Sequence, residues 1–116
     1  MVYVDVFVGP VPTADKEIYL AYARKMQAMT KQAGALSVMA CWGDDSPGGM
    51  PNNPLATALD LKTGETLVTR FVKWESRIAR ETGWAALMKH PEMQTLSPPF
   101  DRSRVRYAGF DVIDEL

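Results

Sequence analysis

The chain has 116 residues, 47% of them hydrophobic and 23% charged, the size of one domain that can bury a core without disulfide or metal staples. Thirteen Lys and Arg stand against fourteen Asp and Glu, a net charge of −1 with no basic block. That balance lacks the electrostatic footprint of a dedicated nucleic-acid binder. The single cysteine, Cys41, cannot close an intramolecular disulfide, which excludes a disulfide scaffold and suits a reducing compartment, the cytoplasm.

The first apolar run, Met1 to Val8, carries Asp5 inside it and no Lys or Arg before it, unlike a signal peptide. No window approaches the roughly 20 apolar residues of a spanning helix. Neither export nor membrane insertion is expected.

Valine stands at every second position from Val2 to Val8, with Tyr3, Asp5 and Phe7 between. A strand apolar on both faces belongs at the centre of its sheet. Gly9-Pro10-Val11-Pro12 should end it, because proline gives the ladder no amide. Thr13 is a candidate N-cap, with Asp15 and Glu17 following where the helix dipole favours negative charge. The helix runs to about Ala33, with Ile18, Tyr22, Met26, Met29 and Ala33 spaced by threes and fours as its apolar stripe. Lys16, Arg24, Lys25 and Lys31 mark its wet side, and Gly34 closes it in the left-handed conformation.

Ala35 to Gly43 reads as a second strand. Asp44 to Pro54 is dense in turn formers, and Asp45–Pro54 should be the most mobile internal segment. Leu55 to Leu61 reads as a short alanine-rich strand and Lys62-Thr63-Gly64-Glu65 as a turn. Thr66 to Trp74, with Leu67, Val68, Phe71 and Val72, is a strand. Ser76 caps a second helix that stops before Pro91. Ile78, Ala85 and Met88 share one side of it, widened by Trp84 and Leu87. Gly83 inside that helix costs about 1 kcal/mol relative to Ala, which predicts a close neighbour. Glu92 to Pro99 is a connector, and Arg104 to Ile113 the last strand.

This order is the split β-α-β-β-α-β arrangement of a ferredoxin-like α+β sandwich, an antiparallel sheet with two helices on one face. It accounts for residues 1–116 as a single domain. The strands are apolar on both parities, so the helix-free sheet face needs a cover. Homodimerisation through that face is the economical answer.

Particular stretches also resemble the YbaA-like proteins: Tyr3-Val4-Asp5 with Phe7-Val8 and Pro10-Val11-Pro12, Gly34-Ala35-Leu36, Cys41 with Asp44-Asp45, and Lys62-Thr63-Gly64-Glu65-Thr66. Ser76-Arg77 with Arg80, and Pro99-Phe100-Asp101 with Tyr107 and Gly109-Phe110, continue the match nearly end to end in one register. The resemblance implies a domain of unknown function among the dimeric α+β barrels, in which two ferredoxin-like sheets close face to face. It implies no reaction. The chain departs from the pattern at Ser37 and Ala40, where acids are expected, and at Trp84, where asparagine is expected; a pocket lined by these positions would be more apolar.

Asp5 is the residue that composition explains least. A carboxylate inside a two-faced apolar strand must be paired or hydrogen-bonded. It is read either as a general base or ligand anchor, or, in the favoured reading, as half of a structural ion pair with Arg70, Arg77 or Arg104. Arg77 and Arg80 lie one turn apart, and Arg77 opposes the helix dipole, which suggests a buried carboxylate or an anion nearby. Arg80 is also placed to stack on Trp84. Tyr3, Asp5, Arg77, Arg80 and Tyr107 are therefore the candidate pocket or ion-pair network.

The remaining candidates have plainer readings. Asp44-Asp45 lacks the ligand count of a calcium site and reads as a turn start. His90 is the only histidine and reads as a cap at a helix C-terminus. Cys41 reads as a buried inert thiol. No metal or cofactor motif is found. The residues favour a homodimeric binding or accessory domain for a small hydrophobic or anionic ligand. The alternative is a cofactor-independent enzyme, monooxygenase- or isomerase-like, acting on a hydrophobic small molecule in the barrel cavity.

Overall fold

The structure is a computed structural model that describes residues 1–44 and 53–116. Strands β1 (Tyr3–Pro12), β2 (Ser37–Trp42), β3 (Glu65–Trp74) and β4 (Arg106–Asp111) form one antiparallel sheet in the order β2-β3-β1-β4. Helix α1 (Lys16–Gln32) follows β1 and α3 (Arg77–Met88) follows β3, while α2 (Pro54–Ala58) and α4 (Pro91–Thr95) are short. The first strand is central, as its valines require.

Register assigns the faces. Asp5, Phe7 and Val11 pair across β1 and β3 with Val72, Arg70 and Thr66, so these side chains share one face. Both long helices cover that face. Val11 and Val68 pack against Tyr19 and Ala23 of α1, and Asp5 meets Arg80 and Trp84 of α3. Met26, Met29 and Leu87 pack between the two helices. Ala35, Val72 and Trp74 form the third part of the core. The opposite face carries Val4, Val6, Val8, Met39, Phe71 and Phe110, half-buried or exposed.

The structure corrects several sequence expectations, each for a local reason. Strand β1 does not end at Gly9 but runs through Pro10 and Pro12, paired with Leu67 and Glu65. Strand β4 leaves β1 after Val8, so beyond that point β1 has a free edge, and a missing proline amide on a free edge costs no ladder bond. Thr13 does not cap α1. It sits in a 3-10 turn, with its hydroxyl 2.7 Å from that of Thr66 and its N–H donating to the Gly64 carbonyl.

The buried side of α1 is Tyr19, Ala23, Met26, Met29 and Thr30, and Ile18 is exposed. Residues 55–61 are not a strand: the Asn53 side chain accepts from the Leu55 and Ala56 amides, and Pro54 fills the first position of a helix, the residue order that starts helices. Likewise α4 opens the expected connector. Helix α3 turns Gly83 and Leu87 inward, with Arg80 and Trp84 beside them, rather than Ile78, Ala85 and Met88; Ile78 is 75% exposed. Gly34 at φ +111° and the Ser76 cap on Ala79 are as expected. The segment expected to be most mobile, Asp45–Pro54, lies outside the described residues apart from its last two positions.

Candidate functional site

Asp5 stands mid-strand on β1 with 1% of its surface exposed. Arg80 Nε donates to both carboxylate oxygens, at 3.2 and 3.1 Å. The Trp74 indole donates to Oδ2 at 3.0 Å and the Trp84 indole to the same oxygen at 3.2 Å. The carboxylate is thus held by three N–H donors from β3 and α3. The expected ion pair exists, but its partner is Arg80 and none of the three arginines favoured from sequence.

Each of those three is placed elsewhere. Arg104 binds Glu65, with Nη2 to Oε1 at 3.0 Å, and also the Asp60 carbonyl. Arg77 is largely exposed and pairs with Glu81 one turn on, at 3.4 Å; one turn from Arg80, it sits on the solvent edge of α3. Arg70 faces the helices but lies over the Phe7 ring, 4.4 Å from its centre.

Of the other candidates, Tyr3 lies over Gly109, where an added Cβ would run into its ring. Tyr107 stacks on Phe7 at 5.8 Å and is otherwise exposed. Tyr3, Asp5 and Arg80 therefore gather near the start of β1, Tyr107 joins through Phe7, and Arg77 stays out. His90 caps, but at the N-terminus of α4: its Nδ1 accepts from the Glu92 amide at 3.2 Å. Cys41 is only half-buried, on the face away from the helices, opposite Thr69. Asp45 lies outside the described residues. Among the described residues, no group of three or more His, Cys, Asp or Glu is arranged to hold a metal ion.

A cleft of about 450 Å³ opens beside this network, between the sheet and the helices. Phe7, Trp84, Tyr107 and Phe100 give it aromatic walls, and Met26, Met88 and Met93 adaptable ones. Its charged lining is Arg70 and Arg102, with no Asp or Glu. A smaller recess of about 60 Å³ continues past Arg70 to Tyr19 and Tyr22. Burial pushes both phenols above their ordinary value, and the neighbouring Arg70 draws them part of the way back. Burial pulls the Arg70 guanidinium down, opposed by Tyr22, Tyr19 and Asp5 in that order. Its Nε is buried and has no hydrogen-bond partner among the described residues. From sequence alone Arg70 is expected only as a partner for Asp5. The missed signal was an arginine in the middle of the apolar run Leu67–Val72, whose neighbour Phe7 becomes visible only once the register is known.

The strand order β4-β1-β3-β2 with two helices on one face, around a cleft on the helix side, defines a ferredoxin-like α+β domain. Solved structures agree on the fold. A dimeric ferredoxin-like protein from an uncultured marine organism aligns with a TM-score of 0.57 at 15% identity, covering all of both chains. The monooxygenase from the gene ActVA-Orf6 of Streptomyces coelicolor, solved with nanaomycin D, aligns at 0.54 and 18% identity over 98% of this chain and 89% of that one. The chain belongs to the family described as "Protein of unknown function (DUF1428)", whose pattern matches residues 2–102. Within reach of that family, it is 34% identical over 118 aligned positions to the uncharacterized protein YbaA of Escherichia coli K12, covering 99% of this chain and all of the relative.

Proposed function

We propose that the protein is a single-domain, homodimeric binding protein of the cytoplasm that holds a small, largely apolar molecule in the cleft between sheet and helices. The cleft itself carries the reading. A concavity of about 450 Å³ with aromatic and methionine walls and few polar groups has the size and lining of a small-molecule site. The helix-free face supports the dimer, since Val4, Val6, Val8 and Phe71 give it an apolar centre that a second copy would cover. The marine relative of the fold is itself described as dimeric. Among the described residues, no helix is long and apolar enough to cross a membrane.

In this reading Asp5 is a clamp. Its carboxylate ties β1 to β3 and α3 and sets the Trp84 ring as one wall of the cleft. Both Asp5 oxygens accept hydrogen bonds from Arg80 and the two indoles, which favours a clamp over a general base. Calorimetric titration with naphthylmethanol, a neutral bicyclic probe, should show saturable binding of one molecule per chain. Met88→Glu, which puts a carboxylate on the cleft's exposed rim, should weaken it about tenfold or more. Absence of saturable binding to the unmodified protein overturns the proposal.

A further inference from the structure

The unused chemistry of the cleft is Arg70. It sits in the middle of β3, between Phe7 of β1 and Ala40 of β2 in the sheet register, so its side chain faces the helices. Phe7 supports one face of the guanidinium, which fixes the plane of the fork. A buried guanidinium needs acceptors for its five N–H groups and a counter-charge. Here the half-buried Arg70 has an Nε with no partner among the described residues; the Tyr22 phenol hydrogen-bonds its guanidinium, and Tyr19 and Asp5 lie within electrostatic reach of it. The acids that pair with other cations are committed: Asp5 to Arg80, Glu65 to Arg104, Glu81 to Arg77 and Glu115 to Lys73. Directly across the strand, Ala40 offers a methyl group.

We propose that the ligand of the cleft is a small aromatic or apolar carboxylic acid, its carboxylate on Arg70 and its body against Phe7, Trp84 and Tyr107. This rests on the cleft being a binding site, and adds the chemistry of the ligand's head. A planar carboxylate matches the guanidinium fork and supplies the missing charge and acceptors in one group. Arg102, on the same cleft with no acid beside it in the lining, draws an anion toward the entrance although the whole chain is at −1.

The test compares naphthoate with naphthylmethanol, an acid and its neutral counterpart, by calorimetry at low salt. The unmodified protein should prefer naphthoate by at least about tenfold. Ala40→Asp puts a carboxylate opposite Arg70, and it should remove that preference while binding of the alcohol persists. Arg70→Gln should lower naphthoate binding by at least about tenfold. Equal affinity for the two probes in the unmodified protein, a comparison that needs no variant, overturns this inference and leaves the cleft reading standing. Failure of both probes to bind overturns both. A preference that survives in both variants places the anion site away from Arg70 and also overturns the inference.

Discussion

At the scale of single residues, Asp5 shows how much a strand can carry when its polar group is fully engaged. Removing a carboxylate from water is costly, and what offsets the cost here is one charge and two indole N–H groups at hydrogen-bond distance. Asp5→Ala strands all three donors. Arg80 keeps 28% of its side-chain surface exposed and can turn to water, so the expected loss is at the low end of the range for a broken buried pair, about 3 kcal/mol. Asp5→Asn, which keeps an acceptor oxygen but not the charge, should fall between. Urea unfolding measures both, and an unchanged midpoint for Asp5→Ala contradicts the clamp. That Asp5 is buried was legible, because every second residue around it is valine. Its partner was not, because Arg80 is 75 residues away and only the packing of α3 on β1 brings it there. Trp84 stands where the family resemblance leads one to expect asparagine; its indole N–H serves as the donor an amide would offer, and its ring widens the apolar wall.

At the scale of elements, the pattern of the chain fixes identity better than rotation. Both long helices were legible from spacing and caps, and Met26, Met29, Trp84 and Leu87 face inward as expected, while Ile18, Ile78 and Ala85 do not. In α1 Met26 and Met29 are buried as expected and Tyr22 and Ala33 pack beside the core, but the first inward turn is Tyr19 and Ala23 while Ile18 is exposed, a swap that leaves the periodicity intact. In α3 the inward side is built around Gly83, which hydrophobicity alone does not mark. A Cβ there would collide with the Trp74 ring and approach the Ala33 carbonyl. Gly83→Ala therefore gains about 1 kcal/mol of helix propensity but forces the ring that donates to Asp5 to move, at about 1–3 kcal/mol or more. The net result should be a lower melting temperature together with a changed near-ultraviolet tryptophan signal; a stabilised Gly83→Ala would show that the helix can shift freely.

A second junction between elements responds to acid. Arg104 holds the Glu65 carboxyl below its ordinary value by a side-chain hydrogen bond, pinning the start of β3 to the turn before β4. Ser103 does the same for Asp101. A carboxyl lowered in the folded state contributes stability that is full above its unfolded pKa and is lost as pH falls through the folded one. The unmodified protein should therefore lose stability as pH drops below about 4, the ordinary carboxylate range. Glu65→Gln should flatten part of that slope in melting experiments run across the acid range; an identical slope in the variant would remove Glu65 from the account.

At the scale of the whole molecule, one sheet face is covered by the chain's own helices, and among the described residues no helix covers the other. The valines of β1 on the uncovered face pair with Lys73, Phe71 and Thr69 on one side and with Phe110, Ala108 and Arg106 on the other, so the charges lie at the ends of the patch. Val6 sits at the centre, between Phe71 and Ala108. A second copy laid face to face would bury on the order of 1,200–2,000 Å² in total if it forms a stable interface of ordinary size. The same arithmetic says where a dimer is most easily broken. Val6→Lys puts one ammonium at the centre of the patch, and two-fold symmetry brings a second one close to it, so neither charge can find water or a counter-charge without separating the copies. The isolated fold should survive, because Val6 points away from the helices and the core is built on the other face. Sedimentation should show the unmodified protein as a dimer at micromolar concentration and Val6→Lys as a folded monomer with an unchanged far-ultraviolet spectrum. A monomer in both cases would mean that the uncovered face meets water, and a dimer in both that the copies join elsewhere.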